Sequence, residues 1–260
     1  MATFLFDKII FGPVKSRRLG NSLGINLLPV DHKVCNFNCL YCECGLTAQN
    51  NDTFKGKMPV REDIMEDLER VLIDFQQKGK RVDTLTFAGN GEPTLHNAFP
   101  GIIDDTILLR NKYFPQSKIA VLSNATLLGK KSIRNALMKV DFNILKLDSA
   151  NEETIKTLNC PLVPFSLEKV ISEMLFFKNN LTIQTLFIRG QYKDKQIDNA
   201  SAVEISQWLK LIQYLSPRLV MIYTFARDTP IPGLEKIDSR KLNSIASEVK
   251  KLGIPVLVSE

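Results

Sequence analysis

The chain lacks any stretch that could cross a membrane as a helix. Its longest run without a charged residue, 19–30, contains Gly20 and Gly24 and falls short of the roughly 18 apolar residues a span needs. It also lacks a basic start followed by a long apolar segment. Met1 to Phe6 begins apolar, but Asp7 and Lys8 break it, so no secretory leader is expected. There is no internal repeat, no low-complexity tract and no linker rich in Pro, Gly and Ser, so a single domain spanning 1–260 is expected. No block of roughly five or six like charges occurs, and a net charge of +6 draws polyanions only mildly. With no leader and no span, the expected location is the cytoplasm, where thiols stay reduced.

What is present suits a globular enzyme. Hydrophobic residues make up 44% and charged residues 24%, enough apolar material for a sizeable core. Compact apolar runs at 23–28, 82–87, 119–123, 142–148, 183–188, 219–225 and 256–258 read as strands covered on both faces. Between them lie helical stripes: Ile64, Leu68, Val71 and Phe75; Ile205, Trp208, Leu209, Ile212 and Leu215; and Leu242, Ile245, Val249 and Leu252, with Gly253 as the stop. Ser166 is positioned to cap a fourth helix carrying Val170, Ile171, Met174 and Leu175. These stripes are core packing. The alternation predicts parallel βαβ units, either a barrel, closed or partial, or an open doubly wound sheet, preceded by a lead-in over 1–22.

In both architectures function gathers at the carboxyl ends of the strands. The first strand is followed by the cysteines, the second by Gly89-Asn90-Gly91-Glu92-Pro93, the third by Ser123-Asn124 and the fourth by Asp148. Arg189 follows the fifth, which carries Gln184.

Four of the five cysteines fall within 35–44. In a reducing compartment that crowding points to metal rather than to disulfides. Cys35-Asn36-Phe37-Asn38-Cys39-Leu40-Tyr41-Cys42 reads C-x3-C-x2-C. Thiolates suit both zinc and iron–sulfur clusters, yet structural zinc sites and ordinary ferredoxin clusters take four ligands. Here three thiolates have no second pair downstream, and Cys44, with only Glu43 between it and Cys42, is the one candidate for a fourth.

This spacing, with an aromatic residue before the last cysteine, resembles the signature of the radical S-adenosylmethionine (SAM) enzymes. The likeness runs through most of the chain. Gly12-Pro13-Val14-Lys15-Ser16-Arg17-Arg18-Leu19-Gly20 with Ser22-Leu23-Gly24-Ile25 resembles the lead-in of stand-alone members related to the enzymes that build the wyosine tricycle on tRNA. Phe87 to Leu95, Leu122 to Leu128, Asp148-Ser149-Ala150 and Tyr223 to Arg227 resemble the later motifs of that branch. Two departures stand out: Lys15 replaces an expected proline, and Asp228-Thr229 follow Arg227 where prolines are expected.

The resemblance implies a partial (β/α)6-type barrel of parallel strands. It implies a 4Fe–4S cluster on Cys35, Cys39 and Cys42, with SAM chelated by the fourth iron. Gly89, Asn90, Gly91 and Glu92 would receive the SAM amino group, and Tyr41 would lie beside the adenine. Ser123, Asn124 and Asp148 carry groups able to hydrogen-bond the ribose or the methionine moiety, or simply to cap their strand ends. Gln184 and Arg189 are further cofactor candidates, Arg189 for the SAM carboxylate. Arg17 and Arg18 are either substrate-binding, for a phosphate or carboxylate, or a solvated basic turn. Cys44 and Cys160 read as small buried residues, Cys44 alternatively as a residue facing the active site and acting on substrate, and His32 and His96 read as structural or surface ones.

The activity implied is reductive cleavage of SAM to a 5′-deoxyadenosyl radical that takes hydrogen from a small-molecule or peptide substrate. An electron donor such as flavodoxin or ferredoxin would feed it. A wyosine-type tRNA substrate is the alternative within the family. A non-catalytic, metal-stabilised nucleic-acid-binding protein is the alternative outside it, although no zinc-finger pairing or aromatic-plus-basic face is visible.

Overall fold

A computed structural model describes residues 4–47 and 57–259. Residues 1–3, part of the lead-in and of the apolar start, lie outside the described residues. In chain order the elements are β1 (Ile10–Ser16), β2 (Gly20–Ile25), α1 (Arg61–Gln77), β3 (Thr84–Phe87), α2 (Phe99–Tyr113), β4 (Lys118–Ser123), α3 (Lys131–Met138), β5 (Phe142–Lys146), α4 (Glu152–Asn159), α5 (Leu167–Met174), β6 (Leu181–Leu186), β7 (Ile188–Tyr192), β8 (Lys195–Asp198), α6 (Ala202–Leu215), β9 (Leu219–Tyr223), β10 (Leu234–Lys236), α7 (Ser239–Lys251) and β11 (Val256–Ser259).

One eight-stranded sheet runs β1-β2-β3-β4-β5-β6-β9-β11, parallel from β2 onward, and forms the curled half-barrel of a partial radical SAM barrel. All seven expected strands are there. The lead-in is the surprise: β1 pairs antiparallel with β2 and becomes the sheet edge. Phe11 lies flat over Gly24, where a Cβ would come within 2.1 Å of the ring, and stacks on Phe6 at 3.7 Å. A small second sheet, β10-β7-β8, is antiparallel and stands beside the carboxyl ends.

Strand alternation separates two environments. Val121, Leu145, Ile183, Val220 and Ile222 point outward into the main core beneath the helices, which includes Ile64, Leu68, Trp208, Ile212, Leu242 and Val249. Ala120, Ile144 and Met221 point inward and pack with Leu19, Leu122, Phe142 and Leu219. These apolar residues fill the amino-terminal end of the half-barrel. One pleat further along, the inner face turns polar with Lys146, Gln184 and Tyr223. The four expected helices form, Ser166 caps α5, and Gly253 follows α7 in the left-handed conformation. α2, α3 and α4 are additional; the last is capped by Asn151 and stopped by Cys160 at φ +40°. Among the described residues no helix is long and apolar enough to cross a membrane.

Candidate functional site

Beyond the apolar plug, the half-barrel opens into a cavity of about 560 Å³, within the range of small-molecule sites. Cys35, Cys39, Cys42 and Cys44 form part of its wall, with Tyr41, Gly89, Gly91, Glu92, Ser123, Asn124, Gln184, Arg17 and Arg18. Fold and sequence thus converge: thirteen of the residues singled out from sequence, counting Cys44, meet around one cavity.

The loop after β2 is held by backbone contacts on both flanks. Val34 N donates to Asn90 O at 2.9 Å, and Glu92 N donates to Val34 O at 3.1 Å. This bridge is the reason for glycine at 91. With φ at +139°, an added Cβ would sit 1.8 Å from the Val34 carbonyl. At Gly91 the close backbone approach that glycine permits is made to the loop itself. On the other side Asn38 N and Leu40 N donate to the carbonyls of Asn159 and Leu158, and Phe37 bridges Pro161. Phe37, Leu40 and Tyr41 pack on Leu158, Leu186, Ile188 and Ile197, so the small sheet backs the loop.

Amide donors point at two of the sulfurs. Phe37 N and Asn124 Nδ2 lie 3.4 and 3.7 Å from Cys35 Sγ, and Asn159 Nδ2 lies 3.3 Å from Cys39 Sγ. Lys33 is buried beside the thiols and donates Nζ to Gly45 O. Burial pushes the Cys35 thiol up to about 12 and raises that of Cys39. Cys42 is lowered to about 5, first by the hydrogen bond from Cys44 and then, against its burial, by Lys33. Cys44 is raised because its proton is shared with Cys42. Burial opposes the Lys33 charge, but Cys42, Cys35 and Cys39 more than offset it, and its pKa is raised.

Glu92 is almost fully enclosed. Its Oε1 accepts from Thr94 N, Thr94 Oγ1 and Ser123 Oγ, and its Oε2 accepts from Asn124 N at 2.7 Å. Burial raises its pKa against these donors. One lone pair on Oε2 stays uncommitted, so the carboxylate both ties β3 to β4 and can take one more donor. Ser123 and Asn124 therefore serve as partners of Glu92 and Cys35 as well as wall residues.

The structure departs from the expected site at three positions. Asp148 does not face this cavity. It is buried and accepts from Tyr41 Oη, from Asn159 Nδ2 at 2.8 Å and from Leu186 N at 3.0 Å, with Lys146 at 3.4 Å. It orients Tyr41, whose ring does line the cavity. Asn90 is fully buried and pins the N-terminal segment, pairing with Phe6 N and O and donating to Pro29 O. Arg189 lies on β7, exposed, in an ion pair with Glu235 at 2.8 Å. The strand ends at Leu186, and the chain then turns into the small sheet, carrying Arg189 away.

Lys33, Lys146 and Asn159 went unremarked in the sequence. Lys146 donates to Tyr41 Oη at 2.8 Å; burial opposes its charge, but Asp148 and Tyr223 outweigh it and raise its pKa. A lysine between Leu145 and Leu147, at the end of a buried strand, was a legible signal. Asn159, at a helix end, carried none.

Among the described residues no three His, Cys, Asp or Glu side chains converge on a single ion position. Three cysteines on one short loop, amide donors at two sulfurs and a cavity opening beside them fit a cluster with one iron left for another ligand. His32 lies beside Asp31, and His96 spans Pro59 O and Ala98 N; both are structural.

No family model matches the chain. It is 31% identical over 232 residues to GTPase Obg of Brachyspira hyodysenteriae, covering 86% of this chain and 31% of that protein. It is 34% identical over 172 residues to a UPF0026 protein of Methanocaldococcus jannaschii, covering 66% and 50% respectively. A UPF0026 protein of Synechocystis sp. is 26% identical over 272 residues, covering 95% and 94%. The chain thus spans between about a third and a half of the length of the first two. Among solved structures, a radical SAM methyltransferase from Sphaerobacter thermophilus superposes with a TM-score of 0.66 at 14% identity, over 92% of this chain and 65% of that one. Streptococcus suis SuiB bound to S-adenosylmethionine gives 0.63 at 16%, over 92% and 52%. TYW1 with a lysine-pyruvate adduct gives 0.59 at 14%, over 92% and 76%. At these identities the likeness is one of fold.

Proposed function

From a chain that has the radical SAM fold and UPF0026 proteins among its sequence relatives, we propose an enzyme that cleaves SAM reductively at a 4Fe–4S cluster held by Cys35, Cys39 and Cys42. The observation that carries this is the three-thiol loop clamped by Val34 and Gly91 against the Glu92 turn, at the open end of the half-barrel. When bound, the cluster with SAM supplies one-electron cleavage to methionine and a 5′-deoxyadenosyl radical.

The chain's own residues bind, orient and shield. The amides of Phe37, Asn124 and Asn159 stabilise the ligating sulfurs by N–H···S hydrogen bonds. Lys33 lends a buried positive charge that favours thiolates. The backbone of Gly89 and Gly91 and the free lone pair of Glu92 Oε2 suit an ammonium group. Tyr41, held by Asp148, Lys146 and Asn159, offers a fixed aromatic wall for an adenine, while Ser123 and Asn124 lie near enough to meet a ribose. Arg227 pairs with Glu43 at 2.8 Å and covers Phe4, joining the last motif to the cysteine loop at the cavity edge. The electron comes from a small flavin or iron–sulfur donor. The molecule attacked is a small molecule or a peptide.

Anaerobic reconstitution followed by reduction with SAM present tests this. Four irons per chain and release of 5′-deoxyadenosine are expected. Zinc in place of iron, or a loaded cluster that neither binds nor cleaves SAM, would sink the assignment. The exposed Lys15 and Arg17 at the rim favour, as a second reading, a tRNA substrate. Salt-sensitive tRNA binding would support it, and none at low salt would end it.

A further inference from the structure

Arg18 belongs to the tip between β1 and β2, yet its guanidinium lies over the ring of Tyr223, 4.7 Å from the centroid, at the end of β9. In the sheet β2 and β9 are separated by four strands, so this side chain reaches across the interior of the half-barrel. Its Nη1 is buried and has no hydrogen-bond partner. Neither carboxylate of the cavity wall bonds it: Glu43 is paired with Arg227, and Glu92 is bonded to Thr94, Ser123 and Asn124. Beside it, Gln184 donates Nε2 to Tyr223 Oη at 2.7 Å, while its Oε1 is buried without a partner.

A charged donor and an amide acceptor are thus both unpaired around one tyrosine, in a wall that faces a cavity. Buried polar groups left this way are costly unless something bound to the protein completes them. Arginine presents parallel N–H groups that match carboxylate and phosphate oxygens. Gln184 and Tyr223 stand on the β6–β9 wall, whereas the Glu92 turn follows β3. A SAM molecule whose amino and carboxylate groups are engaged at the cysteine loop would leave Arg18 and Gln184 unpaired.

Resting on the proposed radical SAM activity, we propose that the substrate carries a carboxylate or phosphate group next to an O–H or N–H donor. Arg18 takes the anion, Gln184 Oε1 takes the donor, and Tyr223 holds both in register. This narrows the substrate to an anionic small molecule, or to the anionic end of a larger one.

The test uses the full chain, both as purified and after reconstitution, with three probes: glycolate, acetate and inorganic phosphate. Saturation-transfer NMR follows the two carboxylates, and phosphorus line-broadening follows phosphate. Saturable binding of glycolate or of phosphate is expected, and whichever is tighter tells carboxylate from phosphate. Arg18→Gln should weaken the probe by about tenfold or more, Arg18→Lys by less, and the surface control Arg70→Gln not at all. Gln184→Leu should remove any preference for glycolate over acetate. Circular dichroism checks that each variant folds. No binding to the native chain, or equal binding to Arg18→Gln, overturns the inference. So does displacement of the probe by SAM together with loss of SAM binding in Arg18→Gln, which would assign Arg18 to the cofactor. A chain that fails to load iron would undo the enzymatic proposal, while the titrations on the as-purified protein would still decide what Arg18 binds.

Discussion

At the scale of single residues the four loop cysteines are chemically unequal. Cys42 is lowered to about 5 and Cys35 is raised to about 12, so at neutral pH the first is a thiolate and the second a thiol. Only the thiolate alkylates. In the metal-free chain, iodoacetamide should therefore modify Cys42 first, at a rate nearly flat from about pH 7 to 9 and falling as pH drops toward 5. Mass spectrometry of the labelled peptides reads the order. Replacing Lys33 by Met removes a stabilising charge and should move that fall to higher pH. Cys35→Ala, Cys39→Ala and Cys42→Ala should each abolish iron loading, whereas Cys44→Ala should load fully; iron content and visible absorbance decide. Glu92 offers a contrasting residue. Glu92→Gln places an amide N–H₂ among donors, and the clash of like groups in a buried site should cost about 2–4 kcal/mol in urea unfolding.

The decisive contact between elements is the bridge joining the cysteine loop to the turn after β3. Gly91→Ala puts a methyl group into the Val34 carbonyl at a backbone angle that alanine adopts only with strain. The outer core does not depend on that bridge, so far-UV circular dichroism should change little. Iron loading should fall severalfold and the melting temperature should drop. Full loading in this variant would show that the loop holds its shape without the clamp. The elements also explain what could be read in advance. The seven parallel strands were legible because each is a compact apolar run, six of them interior to the sheet and the seventh, β11, an edge that still reads Val-Leu-Val. β1 was not, since an edge strand half-exposed to solvent carries a mixed pattern: Val14 is 43% exposed while Ile10 is buried. The short β7, β8 and β10 were hidden for the same reason, and with them the displacement of Arg189.

For the whole molecule, the division into an outer core and an inner cavity predicts that fold and cofactor are separable. The main core contains no cysteine and holds every helix against the sheet. Removing iron with a chelator should leave the helical signal intact, lower the melting temperature by mass action, and raise hydrogen exchange in 33–47 without exposing β3 to β6. Global unfolding on chelation would mean that the cluster, not the core, organises the half-barrel.

The sequence by itself determined the strand–helix order, the outer core and the three-thiol loop, because these depend on local periodicity and on the spacing of like residues along a few turns of chain. It also determined that Glu92, Ser123 and Asn124 would meet, since all follow parallel strands and so emerge on one edge. Only the tertiary structure decided how each is used. Asp148 and Asn90 became supports of the wall, because buried polar groups take partners from whichever segment crosses them, here 107 residues apart for Asp148 and Tyr41 and 84 for Asn90 and Phe6. It also carried Arg18 across the half-barrel to Tyr223, leaving its buried Nη1 without a hydrogen-bond partner.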